Sequence, residues 1–213
     1  GATAGTGNSI NQVLSTIPNS PNAGLAVYAI TPVANGCPGQ TIYVNITINP
    51  IPVATANPAA PAPICSGDTA VINLSSNLPG TTYTWAVVPT NVFGATSGSG
   101  DLISQALTTV IPNTQGSVDY VITPFVNGCQ GAQITVTVIV KPRPEVFGSS
   151  GGVICSGFSP NITLFPSIPG TTFEWTHVAT GVSGASDGTG SSINDTLVAT
   201  GTTAGTVVYT VTP

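Results

Sequence analysis

Charged side chains are scarce in this chain of 213 residues, since Asp, Glu, Lys and Arg together make up 4% of it. An ordinary soluble protein has roughly a quarter of its residues charged. Lys141 and Arg143 are the only two cations, against seven acids. Nucleic-acid binding needs a basic surface that neutralises phosphates, so the composition argues against a nucleic-acid partner.

Long apolar runs are also missing. No stretch of about 18 consecutive apolar residues occurs, so we expect no membrane span in this segment, and we expect no signal peptide at its start. Apolar residues nevertheless make up 41% of the sequence, and they alternate with Thr, Ser and Asn. This pattern predicts strands and turns rather than disorder.

What the sequence does contain is a tandem repeat. Residues 64–85 read ICSGDTAVINLSSNLPGTTYTW and residues 154–175 read ICSGFSPNITLFPSIPGTTFEW, with 11 of 22 positions identical and no gap. Likewise, GATAGTGNSINQVL at 1–14 matches GASDGTGSSINDTL at 184–197. The offset of 90 residues between the first two stretches is that of whole domains in series.

The repeat divides the chain into three predicted units. Residues 1–53 are the C-terminal part of a repeat, residues 54–143 are a complete repeat, and residues 144–213 are a repeat without its last hairpin and strand. We expect residues 42–48 to form a strand with one face buried, since apolar residues alternate there. We expect residues 141–152 to be the linker into the third unit.

Alternating apolar residues mark the strands of the complete repeat. The clearest series are 118–122 and 134–140, which predict two strands on either side of a hairpin turn at Asn127-Gly128. The proline-rich stretch after residues 53–57 predicts an edge strand that crosses between two sheets. Seven or so short strands in about 90 residues, without a helical period, predict tandem immunoglobulin-like Greek-key β-sandwich domains. The predicted core residues are Trp85, Trp175, Tyr120 and Tyr209.

The four cysteines, Cys37, Cys65, Cys129 and Cys155, occupy recurring positions with no His or acid cluster nearby. This favours disulfides and an oxidising, extracellular compartment. In the predicted topology Cys65 lies where the chain leaves the domain and Cys129 where it enters, something like 30 Å apart, whereas a disulfide allows about 7 Å between α-carbons. We hypothesise that the ICSG cysteine of one domain bonds to the hairpin cysteine of the next, so that no partner lies within this chain. An ordinary bridge from Cys65 to Cys129 is the alternative.

The motifs ICSG, PGTT followed by Tyr or Phe and by Trp, Val-Tyr-x-Val/Ile-Thr-Pro and Asn-Gly-Cys resemble the PKD-like and immunoglobulin-like repeats of giant Bacteroidetes surface adhesins. The SprB-type gliding-motility adhesin is the nearest kind, and the resemblance covers the whole chain. It implies type 9 secretion, a cell-surface location and a spacer or adhesive role without catalysis or cofactor. It also implies O-glycosylation at Asp-Ser/Thr before a small or apolar residue, which Thr69 and Thr196 match.

Isolated catalytic motifs occur, but the repeat argues against them. The pattern G-x-S-x-G, typical of a nucleophile elbow, is present at 148–152 and 184–188. The sister repeat has Thr96 in place of Ser186, and the only histidine, His177, has no histidine counterpart. We therefore expect no Ser-His-Asp triad and no enzyme activity.

Binding sites for metals and sugars find little support in the sequence. Asp101, Asp187 and Asp195 are too dispersed for the dense oxygen cluster of a calcium site, although one ion at a domain junction stays open. Aromatic residues make up only 6% of the chain, and both tryptophans fall on the predicted core face. We therefore expect no exposed row of aromatics.

The sequence thus predicts a non-catalytic structural or adhesive segment of a large bacterial surface adhesin, in surface attachment or gliding motility. Its expected partners are neighbouring repeats, surface glycans or like filaments, and the secretion machinery. Two alternatives remain. One is a self-assembling filament subunit completed by strand addition, and the other is a carbohydrate-binding or spacer module of a secreted enzyme.

Overall fold

The computed structural model describes residues 1–17, 20–149 and 151–213. In this part of the chain the regular structure consists of strands, and no helix there is long and apolar enough to cross a membrane. The chain forms two compact units, residues 1–110 with 115–141 and residues 142–213 with 111–114. The predicted all-β class is confirmed.

The first repeat contributes one long hairpin to the first unit. Its strands β1 and β4 pair antiparallel, and the two-residue strands β2 and β3 extend the hairpin to its tip. The turn is Asn35-Gly36, with φ of 50° and 80°, the positive pair that a two-residue type I′ turn requires. The strand bounds are β1 (Gly24–Ile30), β2 (Val33–Ala34), β3 (Cys37–Pro38) and β4 (Ile42–Ile48).

The expectation that β4 buries one face is wrong. Val44 is 38% exposed and Ile46 is 39% exposed, although both lie on the apolar side of the strand. Among the described strands, β1 and β4 pair only with each other and form a sheet of two strands. The apolar side instead borders an open groove of about 370 Å³, lined by Ile10, Gln12, Leu14, Tyr28, Ile30, Val44 and Ile46.

The complete repeat is a two-sheet sandwich. The strand bounds are β5 (Ala54–Asn57), β6 (Ile64–Cys65), β7 (Thr69–Ser76), β8 (Thr82–Thr90), β9 (Val92–Phe93), β10 (Gly98–Ser99), β11 (Leu102–Ala106), β12 (Thr108–Thr109), β13 (Gly116–Val126), β14 (Cys129–Gln130) and β15 (Ile134–Lys141). One sheet has the order β11-β7-β5, the other has the order β10-β8-β13-β15-β6 with β14 added to β13, and β9 pairs with β12.

The first strand of this repeat crosses between the sheets, as predicted. Its first half, β5, pairs antiparallel with β7, and its second half, β6, runs parallel to β15 with Lys141 opposite Cys65. Prolines fill the connection, where they cost no ladder hydrogen bond. The immunoglobulin-like sandwich is confirmed.

The core of this sandwich follows from the period of two along its strands. On β13 the side chains of Val118, Tyr120 and Ile122 are fully buried, while the residues between them are half-buried. Ile72 and Ile103 face them from the other sheet and are also fully buried. Alternating apolar residues on two facing sheets thus produce one continuous core.

The third repeat has two short sheets and a small core. The sheets have the orders β16-β17-β21 and β20-β18-β23, and β19 pairs with β22. The core consists of Leu164, Phe173, Trp175 and Ile193. The strand bounds are β16 (Val146–Gly148), β17 (Ile162–Pro166), β18 (Glu174–Thr180), β19 (Val182–Ser183), β20 (Gly188–Thr189), β21 (Ser192–Ile193), β22 (Val198–Ala199) and β23 (Thr206–Thr212).

The predicted linker at 141–152 includes strand residues at two places. Lys141 still belongs to β15, and Val146–Gly148 forms β16, which pairs with β17. The prolines and charges of this stretch suggested a linker, but its apolar pair at 146–147 belongs to the first strand of the next domain. Ser150 lies outside the described residues.

Candidate functional site

A buried tyrosine and a glutamine hold the two sheets of the complete repeat to one loop. Tyr120, at the centre of β13, donates its hydroxyl hydrogen to Gln105 Oε1 at 2.9 Å. Gln105, on β11 of the facing sheet, accepts from the Thr96 amide at 3.0 Å and donates to the Thr96 carbonyl at 2.8 Å. We call this arrangement the tyrosine clamp. It satisfies the hydroxyl of a tyrosine whose ring is fully buried.

The same clamp occurs in the first repeat. Tyr28 donates to Gln12 Oε1 at 2.9 Å, and Gln12 binds the Thr3 amide at 3.0 Å and the Thr3 carbonyl at 2.7 Å. Sequence reasoning missed this network. The sequence feature that could have revealed the network is the nine-residue spacing from threonine to glutamine, which both repeats share.

In the third repeat an acid replaces the amide. Asp195 accepts from the Ser186 amide at 2.9 Å, from the Ser186 hydroxyl at 2.8 Å and from the Tyr209 hydroxyl at 2.6 Å. The spacing of nine residues is retained. This repeat therefore has a clamp that can change charge.

The clamps shift the pKa of their ionisable members. Burial raises the pKa of Tyr120 to about 12. Burial and the bond to Asp195 raise the pKa of Tyr209. Burial acts to raise the pKa of Asp195, but the hydrogen bonds from Tyr209 and Ser186 outweigh it and the pKa lies below its ordinary value. Hydrogen bonds to a carboxylate favour its charged form.

Each tryptophan lies beside its clamp and packs against a glycine, which leaves room for the indole ring. Trp85 donates its indole hydrogen to the Thr96 carbonyl at 3.1 Å, and Trp175 donates to the Ser186 carbonyl at 3.2 Å. A β-carbon added at Gly98 would lie 2.7 Å from Trp85 Cζ2, and one added at Gly188 would lie 2.7 Å from Trp175 Cζ2. Both tryptophans are buried.

The ICSG motif forms a tight turn with an exposed cysteine. The Asp68 amide donates to the Cys65 carbonyl at 3.0 Å, and Gly67 has φ of 94°, as the third residue of a type II turn requires. The Ser66 hydroxyl accepts from the Thr109 amide at 3.0 Å. The third repeat has the same turn at Cys155. Serine and glycine thus have structural roles, while both cysteines are exposed.

The Asn-Gly-Cys motif ends the last hairpin of a repeat. In the complete repeat Asn127 and Gly128 have φ of 50° and 81°, and Val126 lies opposite Cys129. The predicted hairpin turn is confirmed. Cys129 is half-buried, and its Sγ lies 4.0 Å from the carbonyl oxygen of Asn49, just after β4. This cysteine therefore lies at the junction with the preceding repeat.

The strand register separates Cys65 from Cys129. Cys65 lies beside Lys141 at the end of β15, whereas Cys129 lies beside Val126 at the far end of β13. The 11 residues of β13 cover about 33 Å, so a bridge between these two cysteines would exceed the reach of a disulfide. All four cysteines are free thiols in the structure, and the alternative of a bridge within the domain is wrong.

The residues of the second catalytic motif, 184–188, do not form a triad. The Ser186 hydroxyl points to Asp195 rather than to a histidine. His177 Nδ1 pairs instead with Asp187 Oδ1 at 2.7 Å, and the hydrogen bonds from the His177 side chain and backbone lower the pKa of Asp187. The first motif contains Ser150, which lies outside the described residues.

The glycosylation candidates both lie at the surface. Thr69 begins β7 and Thr196 precedes β22, and both side chains are exposed. The Asp68 carboxylate accepts from the Cys65 amide at 3.1 Å, so the acid before Thr69 is already fixed in the turn. Among the described residues no three His, Cys, Asp or Glu side chains group as a metal site would require.

An exposed aromatic pair in the third repeat was not expected from the sequence. Phe147 of β16 lies opposite Phe165 of β17, and they are 54% and 57% exposed. The corresponding pair in the complete repeat is Thr55 and Ser75, whose hydroxyls are 2.7 Å apart. The sequence predicted no exposed row of aromatics, and this single pair is a surface feature that the sequence analysis did not identify.

The fold and its recurring clamp define a chain of immunoglobulin-type sandwich domains in series. Domains of this type are typically non-catalytic and generally extracellular. The PKD-like domain family matches residues 1–52, 62–144 and 152–213, and the chain belongs to that family. A search of curated proteins returned no match.

Proposed function

We propose that this chain is a stalk segment of a large Bacteroidetes surface adhesin of the SprB type, acting in surface attachment or gliding motility. The observation that carries the proposal is the short, ordered junction between the first and second repeats. Only residues 49–53 separate β4 from β5. Pro50 and Pro52 are buried there, so the junction resists bending.

Contacts on both sides of that junction support a stiff connection. Asn49 Nδ2 donates to the Asn127 carbonyl at 2.9 Å, and Gly131 packs so closely against Pro52 that a β-carbon there would meet its backbone. Repeats joined in this way act as an extended spacer between the cell and a remote binding region.

The surface chemistry suits multivalent adhesion. Few charges and many Thr and Ser hydroxyls leave a surface that accepts glycans, with Thr69 and Thr196 as the proposed O-glycosylation sites. When weak contacts are repeated along one chain, the first contact raises the effective concentration of the others, and the overall binding becomes stronger than any single contact. We propose surface glycans or like filaments as partners and type 9 secretion as the export route.

Antibodies raised against this chain test the proposal on intact cells. We expect the antibodies to label filaments that extend from the surface. Protease added to the cells should remove the label, and the cells should lose attachment or gliding at the same time. Labelling only after the cells are permeabilised would contradict the extracellular role.

A filament subunit completed by strand addition is the second candidate. Val207, Tyr209 and Val211 of β23 line an open groove of about 280 Å³, and among the described strands β23 pairs only with β18. An added strand would cover both the groove and the free edge. Concentration-dependent ladders of the purified chain would favour this candidate.

A further inference from the structure

We propose that consecutive repeats are joined by a disulfide between the ICSG cysteine of one repeat and the Asn-Gly-Cys cysteine of the next. The proposal rests on the proposed extracellular function only for its oxidising compartment. The geometry that supports it comes from two different places in the first unit.

The first observation fixes the ICSG cysteine beside the last residue of the last strand of its own repeat. Cys65 lies opposite Lys141 in the parallel pairing of β6 and β15. Neighbouring strands are about 4.8 Å apart. The Ser66 amide also donates to the Lys141 carbonyl at 2.7 Å, so the turn that carries the cysteine is attached to this residue.

The second observation fixes the hairpin cysteine beside the residue that follows the last strand of the preceding repeat. Cys129 Sγ is 4.0 Å from the Asn49 carbonyl oxygen, and the Asn49 side chain is bound to Asn127 in the same hairpin turn. The hairpin tip is thereby docked against the end of the repeat before it.

These two end residues are the same position of the repeat. Aligned without a gap, residues 37–52 match residues 129–144, with Cys37 on Cys129 and therefore Asn49 on Lys141. The ICSG cysteine of a repeat lies opposite this position in its own repeat, and the hairpin cysteine of the next repeat contacts the same position. Both cysteines therefore border one residue. A disulfide requires α-carbons about 4.4 to 6.8 Å apart, and a shared neighbouring residue brings the two cysteines close to each other.

The motif chemistry agrees with this placement. Ser66 and Gly67 are explained by the turn, whereas Cys65 takes part in the turn through its backbone and its thiol is exposed. Bond formation removes two protons and two electrons from the two thiols. In the test below, the disulfide of oxidised glutathione accepts them and leaves as two glutathione thiols.

Two chimeras that retain the whole chain test the inference. In the first, a copy of residues 54–93 precedes Gly1, the counterpart of Gly94, so that the first repeat gains an ICSG cysteine. In the second, a copy of residues 125–143 follows Pro213, so that the third repeat gains an Asn-Gly-Cys hairpin. Each is equilibrated with reduced and oxidised glutathione, alkylated, digested without reduction and mapped by mass spectrometry.

We expect one new cross-linked peptide in each chimera. In the first it joins the added cysteine to Cys129, and Cys129→Ser abolishes it while Cys37→Ser leaves it unchanged. In the second it joins the added cysteine to Cys65. The unextended chain should show four free thiols and no internal bridge.

Three results would overturn the inference. The added cysteines could stay reduced in chimeras that keep native tryptophan fluorescence, or the added cysteine could be cross-linked to the cysteine of its own repeat. The third is an internal bridge in the unextended chain. Since the two chimeras probe different junctions, misfolding of one leaves the other decisive. Neither result depends on adhesion, so failure here is separate from failure of the proposed function.

Discussion

Replacing Gly98 by alanine tests how the tryptophan core of the complete repeat is held. The added β-carbon would lie 2.7 Å from Trp85 Cζ2 and 3.0 Å from Cε2, closer than carbon atoms approach without displacement. Trp85 is buried and its indole is bound to the Thr96 carbonyl. The ring must therefore shift, and the hydrogen bond must lengthen or break.

The expected cost follows from these two effects. Overpacking a filled core costs about 1 to 3 kcal/mol, and a weakened hydrogen bond adds about 1 kcal/mol. We expect Gly98→Ala to lower the free energy of unfolding of this repeat by about 3 kcal/mol. For a domain of this size, that lowers the melting temperature by about 12 to 24 °C.

The assay is thermal and urea unfolding followed by tryptophan fluorescence in a Trp175→Phe background, so that only Trp85 reports. The repeat provides a matched control, because Gly5 is the counterpart of Gly98 and a β-carbon added there would have no atom within 4 Å. Gly5→Ala should leave the transition unchanged. Equal transitions for Gly98→Ala and the parent would refute the packing argument.

Two further predictions concern the clamp. Removing the buried hydroxyl in Tyr120→Phe should cost about 1 kcal/mol and lower the urea midpoint, whereas Tyr43→Phe, at a side chain 70% exposed, should not. Asp195 has a folded-state pKa below the ordinary 3.8, so its stabilisation is present above that value and lost as pH falls through the folded pKa. Asp195→Asn should therefore reduce the acid-induced loss of stability in the third repeat, measured below about pH 4 by Trp175 fluorescence in a Trp85→Phe background. An unchanged acid profile would contradict the assignment.

The general architecture could be predicted because local sequence signals agree with the fold. Alternating apolar residues indicated the strands around Tyr120, and the Asn127-Gly128 dipeptide supplied the positive φ angles of its hairpin. The prolines after β5 marked the crossing between sheets. Each of these signals depends on residues close together in the chain, which is why one sequence was enough.

The features that were missed depend on contacts across the sandwich. Gln105 and Tyr120 come together from facing sheets, and no local pattern requires a polar network there. The exposure of Val44 was misjudged because alternation reports a face suited to burial, not whether another sheet covers it. Phe147 was assigned to a linker because its neighbours are prolines, glycines and charges.

The mass of the polypeptide that carries this sequence on the cell surface, compared before and after reduction, tests the central claim most directly. The segment itself is 21.1 kDa. A chain of several hundred kilodaltons that keeps its mass after reduction is the result expected for a tandem-repeat adhesin. A polypeptide near the segment's own mass that forms ladders would contradict the adhesin and identify a filament subunit.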